Sequence, residues 1–267
     1  PKTRTSTKLH MGRNTSQADQ MKLVAITMVR DEEDIIDWTI QHLLDQGVDH
    51  IIVADNMSID NTGFILQTLT RTGKVTVIED PEVGYYQDQK MTALAHMAAN
   101  DFGADWILPF DADEYFYWTG GTLKEFFNQT EADVITATGW DHIATDDDDP
   151  TETSPFKRIT YRRQAPQKMG KVAFRYHPDI WIDFGNHFIF NHPGTTAQAL
   201  NYRHYQYRSF EQLVTKARNG AAAFNATNLH PTYGSHWRQL GQLDDRMLWA
   251  TWRKLCEETG LIEDPAP

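Results

Sequence analysis

The sequence predicts an α/β fold with a mostly parallel central sheet flanked by helices, and three observations carry that expectation. Short apolar, β-rich runs alternate with segments of helical periodicity between residues 22 and 110. Acidic residues follow the apolar runs, at Asp31, at Asp55 and at the pair Asp111 and Asp113. The chain has 267 residues and a single cysteine, Cys256, so its core is held without an internal disulfide.

Residues 22–29 (KLVAITMV) form the first such run and suit a buried strand. After the polar cluster 31–34, Ile36, Ile40, Leu43 and Leu44 recur at helical spacing, with Asp31 as a candidate cap and Gly47 as the stop. A second strand is expected at 50–54 (HIIVA), followed by turn residues Asp55-Asn56 and Asp60-Asn61 and a helix over 63–70. The third strand is 74–79 (KVTVIE). A helix over 87–100 follows, with Met91, Leu94, Ala95 and Ala98 on one side, and then a fourth strand at 106–110 (WILPF). This β-α-β-α-β-α-β order implies parallel strands with a binding crevice beyond their carboxyl ends.

The second half is less regular. A strand is expected at 133–138, a polar loop at 141–155, short strands between 156 and 201, and two helices near 210–224 and 240–258. No repeat or linker divides the chain, so one domain is expected over 21–267, with a nucleotide half (21–118) and an acceptor half (119–267). Residues 1–20 are polar and basic and read as a disordered arm or a cloning remnant.

The net charge of −12, with no long Lys/Arg tract, argues against a nucleic-acid partner. No apolar run approaches the roughly 18–20 residues that span a bilayer. No signal-like stretch opens the chain, and there is no CxxC pair, so a cytoplasmic location is expected.

The strongest local signal is FDADEYF, residues 110–116. Read as extended chain, Asp111 and Asp113 project to the same side and can share one hard cation, Mn²⁺ or Mg²⁺. Such a cation stabilises a diphosphate leaving group. An isolated DxD more often just ends a strand, but its placement after an apolar strand in a βαβ series favours the ligand reading. Asp31 and Asp55 lie at neighbouring strand ends, where a carboxylate can accept from a base or a ribose. Their plainer readings are a helix cap and a turn residue. Neither GxGxxG nor GxxxxGK[ST] occurs.

Three segments together resemble one family. VRDEEDIIDWTIQHLLDQGVDHIIVADNMSIDNTG, WILPFDADEYF and HYQYRSFEQLVTK are similar to family-2-type glycosyltransferases, in the branch with VKNE…EW…H…G(V)…DN.S.DGT, W…DxDEF and HY..RS.E.F..K segments. The likeness runs from about residue 23 to 220. It implies the GT-A fold (Rossmann-like), a nucleotide-sugar donor and inversion at the anomeric carbon. It places Val29, Arg30, Asp31 and Asp55 near base and ribose, and Asp111, Ala112 and Asp113 at the metal and ribose-diphosphate, with Gln89 and Lys90 approaching the nucleotide. Arg30-Asp31 stands where Lys-Asn is usual, and Asn61 where Gly is expected.

An inverting transfer needs a base for the acceptor hydroxyl. Asp183 is the choice, with Asp179 and Asp141 as alternatives. A late histidine often completes the metal site in GT-A enzymes, and His204, in the HY..RS segment, is preferred over His187. The basic stretch Arg158, Arg162, Arg163, Lys168, Lys171 and Arg175 reads either as a diphosphate contact or as a solvated face. Asp146–Asp149 reads as a solvated loop. Trp140, Trp181 and Trp237 read mainly as core or half-buried residues, with stacking on acceptor sugars as the alternative.

The leading expectation is a metal-dependent inverting glycosyltransferase acting on a glycan, a lipid-linked or another hydroxyl acceptor, with peripheral membrane contact left open through a lipid or polysaccharide acceptor. The alternatives are a nucleotidyltransferase making nucleotide sugars, against which VRDEED offers no Gly-rich basic loop, and a non-catalytic carbohydrate-binding or scaffold protein.

Overall fold

A computed structural model describes residues 21–267, so the expected arm over 1–20 lies outside the described residues. The first half alternates as expected: β1 (Leu23–Val29), α1 (Ile36–Asp45), β2 (His50–Asp55), α2 (Thr62–Leu69), β3 (Val75–Glu79), α3 (Gln87–Phe102) and β4 (Trp106–Pro109). β1, β2, β3 and β4 pair in parallel in the order 3-2-1-4. The order reverses at β1, where a crevice opens beyond the strand ends. Both faces of β1 are buried: Leu23 and Ala25 join the core under α1, while Val24 and Ile26 join the core under α3. A strand covered on both sides reads as a continuous apolar run, which is why LVAITMV has no alternation.

FDADEYF does not continue β4. The chain turns after Phe110, with Glu114 N–H donating to Asp111 C=O at 3.0 Å, and β5 (Glu114–Tyr117) begins there. α4 (Leu123–Gln129) follows, opened by a capping box between Thr122 and Glu125. Then come β6 (Val134–Asp141), α5 (Pro155–Arg158), β7 (Tyr161–Arg162), β8 (Lys171–Arg175), β9 (Trp181–Ile182), β10 (Ile189–Phe190) and β11 (Thr196–His204). The chain closes with α6 (Phe210–Asn225), α7 (Ser235–Leu240), α8 (Asp245–Cys256) and β12 (Ile262–Glu263).

The main sheet has eight strands in the order β3-β2-β1-β4-β8-β6-β11-β5. β8 runs antiparallel between β4 and β6, β11 runs parallel to β6, and β5 runs antiparallel to β11. Register then does the positioning: His204 pairs with Asp141 on one side and Glu114 on the other. Below that row Phe116 pairs with Tyr202, their rings stacked at 5.2 Å and both fully buried. Gly139 is required beside them, because a Cβ there would lie 2.1 Å from the Tyr202 ring.

Asp31 is not the cap of α1. That position is Ile35, without a side-chain cap, and Asp31 lies earlier in the chain at φ +53. Gly47 does end the helix, at φ +84. Among the described residues no helix is long and apolar enough to cross a membrane.

Because Phe116 sits beneath the row that carries His204, Phe116→Ala is expected to cost about 3–5 kcal/mol of unfolding free energy. Urea denaturation measures this, and a loss below about 1 kcal/mol would show that the ring is not part of the site's foundation.

Candidate active site

A cavity of about 730 Å³ opens beyond the carboxyl ends of β1, β4, β6 and β11, a volume suited to a nucleotide-sized ligand. The turn carrying Asp111–Glu114 forms its floor, and α6 and the segments around Lys171 and Phe184 supply walls. Since the chain turns here, Asp111 and Asp113 do not share one side as extended residues would. Asp111 is part-exposed; its Oδ2 accepts from Lys171 Nζ at 2.5 Å and its Oδ1 from Asn186 Nδ2 at 3.2 Å. Asp113 is buried and accepts from Lys216 Nζ of α6, with its other oxygen 3.6 Å from His204 Nε2.

A buried ion-pair network surrounds Asp113. Lys216 also lies 3.1 Å from Glu32, and Arg208 forks onto Asp34 at 2.7 Å through both Nε and Nη2 while reaching Glu32 at 2.6 Å. Arg208 Nη1 stands 3.8 Å from Asp113. Burial alone would raise the Asp113 carboxyl, but Lys216, His204 and Arg208 outweigh it and hold the group far below the usual carboxylate range. Burial opposes the charge on Lys216 as well, and Asp113 with Glu32 overcomes it and raises that pKa. Glu114 goes the other way. Burial pushes it up to about 7 against the pull of Lys171. Its Oε1 lies 2.8 Å from Lys171 Nζ but without hydrogen-bond alignment.

His204 connects Asp113 to Asp141. Its Nδ1 lies 3.0 Å from Asp141 Oδ1, and the nearby Gln167 amide at 2.7 Å also donates to that carboxylate, at 2.6 Å. With the carboxylate as the stronger acceptor, Nδ1 carries a proton directed at Asp141, and Nε2 is the ring atom that faces Asp113. Burial disfavours a charge on this ring, yet Asp113 and Asp141 raise its pKa, so a positive charge is favoured between His204 and Asp113. His204 Nε2 and Asp113 Oδ1, an imidazole nitrogen and a carboxylate oxygen 3.6 Å apart, are donor types that a divalent cation accepts. The donor set therefore fits a hard cation that completes its shell with water and phosphate oxygens. Among the described residues no three His, Cys, Asp or Glu side chains are grouped to hold a metal ion. Asp111, expected as a ligand, is turned toward Lys171. His187 forms no ion pair with an acid among the described residues; its Nδ1–H donates to Gly170 C=O at 2.7 Å.

Of the residues expected at the nucleotide, Val29, Arg30, Asp111 and Ala112 line the cavity. Arg30 has Nε and Nη1 buried without hydrogen-bond partners, although Asp31 Oδ2 stands 3.9 Å from Nε as an ion-pair partner. Asp31, Asp55, Gln89 and Lys90 are not part of the lining. Asp31 accepts from Ile59 N–H and Asn219 Nδ2, which ties the loop after β2 to α6. Asp55 accepts from Ser58 N–H in its own turn. Lys90 is spent on Asp80 and the Glu82 carbonyl, and Gln89 faces solvent. Two residues before Gln89, Gln87 lines the cavity and accepts from Gly185 N–H at 2.6 Å.

Neither Asp179 nor Asp183, the preferred base, lines the cavity; Asp141 does. Asp141 is a poor base, because burial is outweighed by His204, Gln167 and Arg163, leaving its pKa at about 2. The basic stretch divides. Arg162, Arg163 and Arg175 are paired with Asp264, Glu258 and Asp133, whereas Lys171 enters the site and Lys168 lines it. Asp146 pairs with Arg253 at the surface.

A family model described as glycosyl transferase family 2 matches residues 24–187. Among solved structures, Staphylococcus aureus TarS 1-349 in complex with UDP-GlcNAc is 14% identical, covering 82% of this chain and 70% of that one at a TM-score of 0.47. The same protein in complex with UDP gives 15%, 82%, 69% and 0.45. HddC from Yersinia pseudotuberculosis gives 15% identity, 67% and 89% coverage, and a TM-score of 0.39. These likenesses are too distant to bear on substrate. No curated protein matches the chain.

The raised pKa of Glu114 has a readable consequence. The folded state binds its proton more tightly than the unfolded chain, whose value is near 4.5. Its contribution is therefore complete below pH 4.5 and is lost as pH rises through about 7. Unfolding free energy measured across that window should fall less steeply with pH in Glu114→Gln than in the wild type. Identical slopes would contradict the assignment.

Proposed function

The chain belongs to glycosyl transferase family 2, and from that membership we propose that it moves a sugar from a nucleotide diphosphate sugar to an acceptor hydroxyl, with inversion and with Mn²⁺ or Mg²⁺ as cofactor. The carrying observation is the cavity at the β1 crevice, which joins the Arg30 guanidinium, whose Nε and Nη1 make no hydrogen bond, to the acidic turn at Asp111–Glu114. A guanidinium with free N–H groups suits a base carbonyl or a phosphate oxygen.

In this reading Arg30 and Val29 meet the nucleoside, while Lys171 and Lys216 bring positive charge to the diphosphate end. Asp113 Oδ1 and His204 Nε2 would hold the cation. When bound, it neutralises charge on the departing diphosphate. Inversion follows the family resemblance and asks for a base opposite the leaving group. His187 meets that need better than Asp183. It lines the cavity, Gly170 fixes its Nδ1–H, and Nε2 is left to accept a proton. Burial, with Lys171 adding to it, lowers its pKa, so the ring is neutral near pH 7. Gly185 keeps that nitrogen open, since a Cβ there would sit 2.5 Å from it.

The test is transfer from a panel of nucleotide sugars. Chelation should abolish turnover and Mn²⁺ should restore it, and Arg30→Met should raise the donor KM. His187→Gln should lower kcat by about 100-fold or more with nucleoside diphosphate binding kept. Full activity in His187→Gln alongside its loss in Asp183→Asn would return the base to Asp183. Turnover indifferent to chelation would remove the cation from the reading.

A further inference from the structure

β9 and β10 form a two-stranded ribbon in which Ile182 pairs with Ile189 and Trp181 with Phe190. Its inner face is aliphatic: Ile180 and Ile182 are buried in the core under α3, and Ile189 packs against it. Ile182 N–H also donates to Thr92 Oγ1 of α3 at 2.9 Å, so the ribbon is anchored. Alternation puts the remaining side chains on the outer face. There Trp181, Phe188 and Phe190 are 39%, 53% and 51% exposed, an all-aromatic surface.

The turn that connects the two strands of the ribbon reaches the candidate active site. The link between the strands runs through a single 3₁₀ turn, Phe184–Asn186, and Phe184, Gly185 and His187 all line the cavity. A molecule stacked along the ribbon and running toward this turn ends at the cavity wall that carries His187. Cross-strand neighbours lie about 5 Å apart and same-face residues along a strand about 7 Å apart, so the rings repeat at roughly the spacing of linked sugar rings.

We propose that the Trp181–Phe188–Phe190 face is an acceptor platform, taking an extended neutral oligosaccharide whose pyranose C–H faces stack on the rings while its terminal hydroxyl enters the cavity. This rests on the transferase reading above. A pyranose is apolar on its faces and polar at its rim, which matches flat aromatics flanked by hydrogen-bonding groups. Asp183 is on the ribbon's link, and Asp179, its side chain 78% exposed, precedes it beside His177. These carboxylates accept from hydroxyls and repel an anionic membrane surface, as does the net charge of −12. A sugar is thus favoured over a bilayer as occupant.

The test compares the wild type with Trp181→Ser/Phe190→Ser, both sites being exposed, on three probes. These are an array of neutral oligosaccharides, vesicles of phosphatidylglycerol and phosphatidylethanolamine, and a panel of nucleoside diphosphates with Mn²⁺. The expected result is oligosaccharide binding weakened by roughly tenfold or more in the variant, with nucleotide binding unchanged. Equal oligosaccharide binding by both proteins, or none by the wild type, overturns the platform. Vesicle sedimentation lost in the variant without oligosaccharide binding also overturns it and assigns the face to a membrane. Absent nucleotide binding in the wild type counts against the donor reading alone, because the oligosaccharide arm is read separately.

Discussion

A carboxylate as deeply buried as Asp113 stays charged only while cations face it, and the arrangement of the second half of the chain around the first follows from that requirement. Lys216 and Arg208 come from α6 and its approach, and His204 ends β11. Glu32 and Asp34, in the loop after β1, share the same two cations. Removing one partner of such a set leaves an uncompensated buried charge, at a cost of about 3–5 kcal/mol. The network ties the nucleotide-side loop, the acidic turn and the closing helix into one unit. Its value is positional, since buried ion pairs often add little net stability over apolar packing.

The sheet itself places three groups of the site. Antiparallel β5 and parallel β6 flank β11, and their registers set Glu114, His204 and Asp141 in a row. Asp141 then orients the imidazole from behind while Asp113 meets it in front. Opposed shifts appear within two residues: Asp113 is driven down by its cations and Glu114 is driven up by burial. Environments that separate the pKa values of neighbouring acids are characteristic of functional sites.

The first half of the fold was legible because β1, β2, β3 and β4 are covered on both faces and α1 and α3 on one, so each has the hydrophobic period of its environment. FDADEYF was legible as a site but misread in shape, because a period-2 reading assumes extended chain where the backbone turns. The HYQYRSFEQLVTK segment marked the right place. Arg208, Ser209 and Lys216 are respectively an ion-pair hub, the cap of α6 and the partner of Asp113. Nothing local in the sequence could reveal that Lys216 meets Asp113, since they are 103 residues apart. Asp183 was chosen by position in an irregular stretch, where one residue of offset moves a side chain from the cavity wall to the outside. Gln89 failed for a similar reason, as Gln87 occupies the inward helical position.

On the proposed reading, Asp113, held ionised by Lys216 and Arg208, would form with His204 a seat for a divalent cation beside a bound nucleotide. Electron paramagnetic resonance titration of Mn²⁺, in the presence of each nucleoside diphosphate, reads that seat directly. The account predicts one bound Mn²⁺ for a preferred nucleotide, weakened in His204→Ala and abolished in Asp113→Ala. No bound Mn²⁺ with any nucleotide, or binding that survives both substitutions, would contradict it.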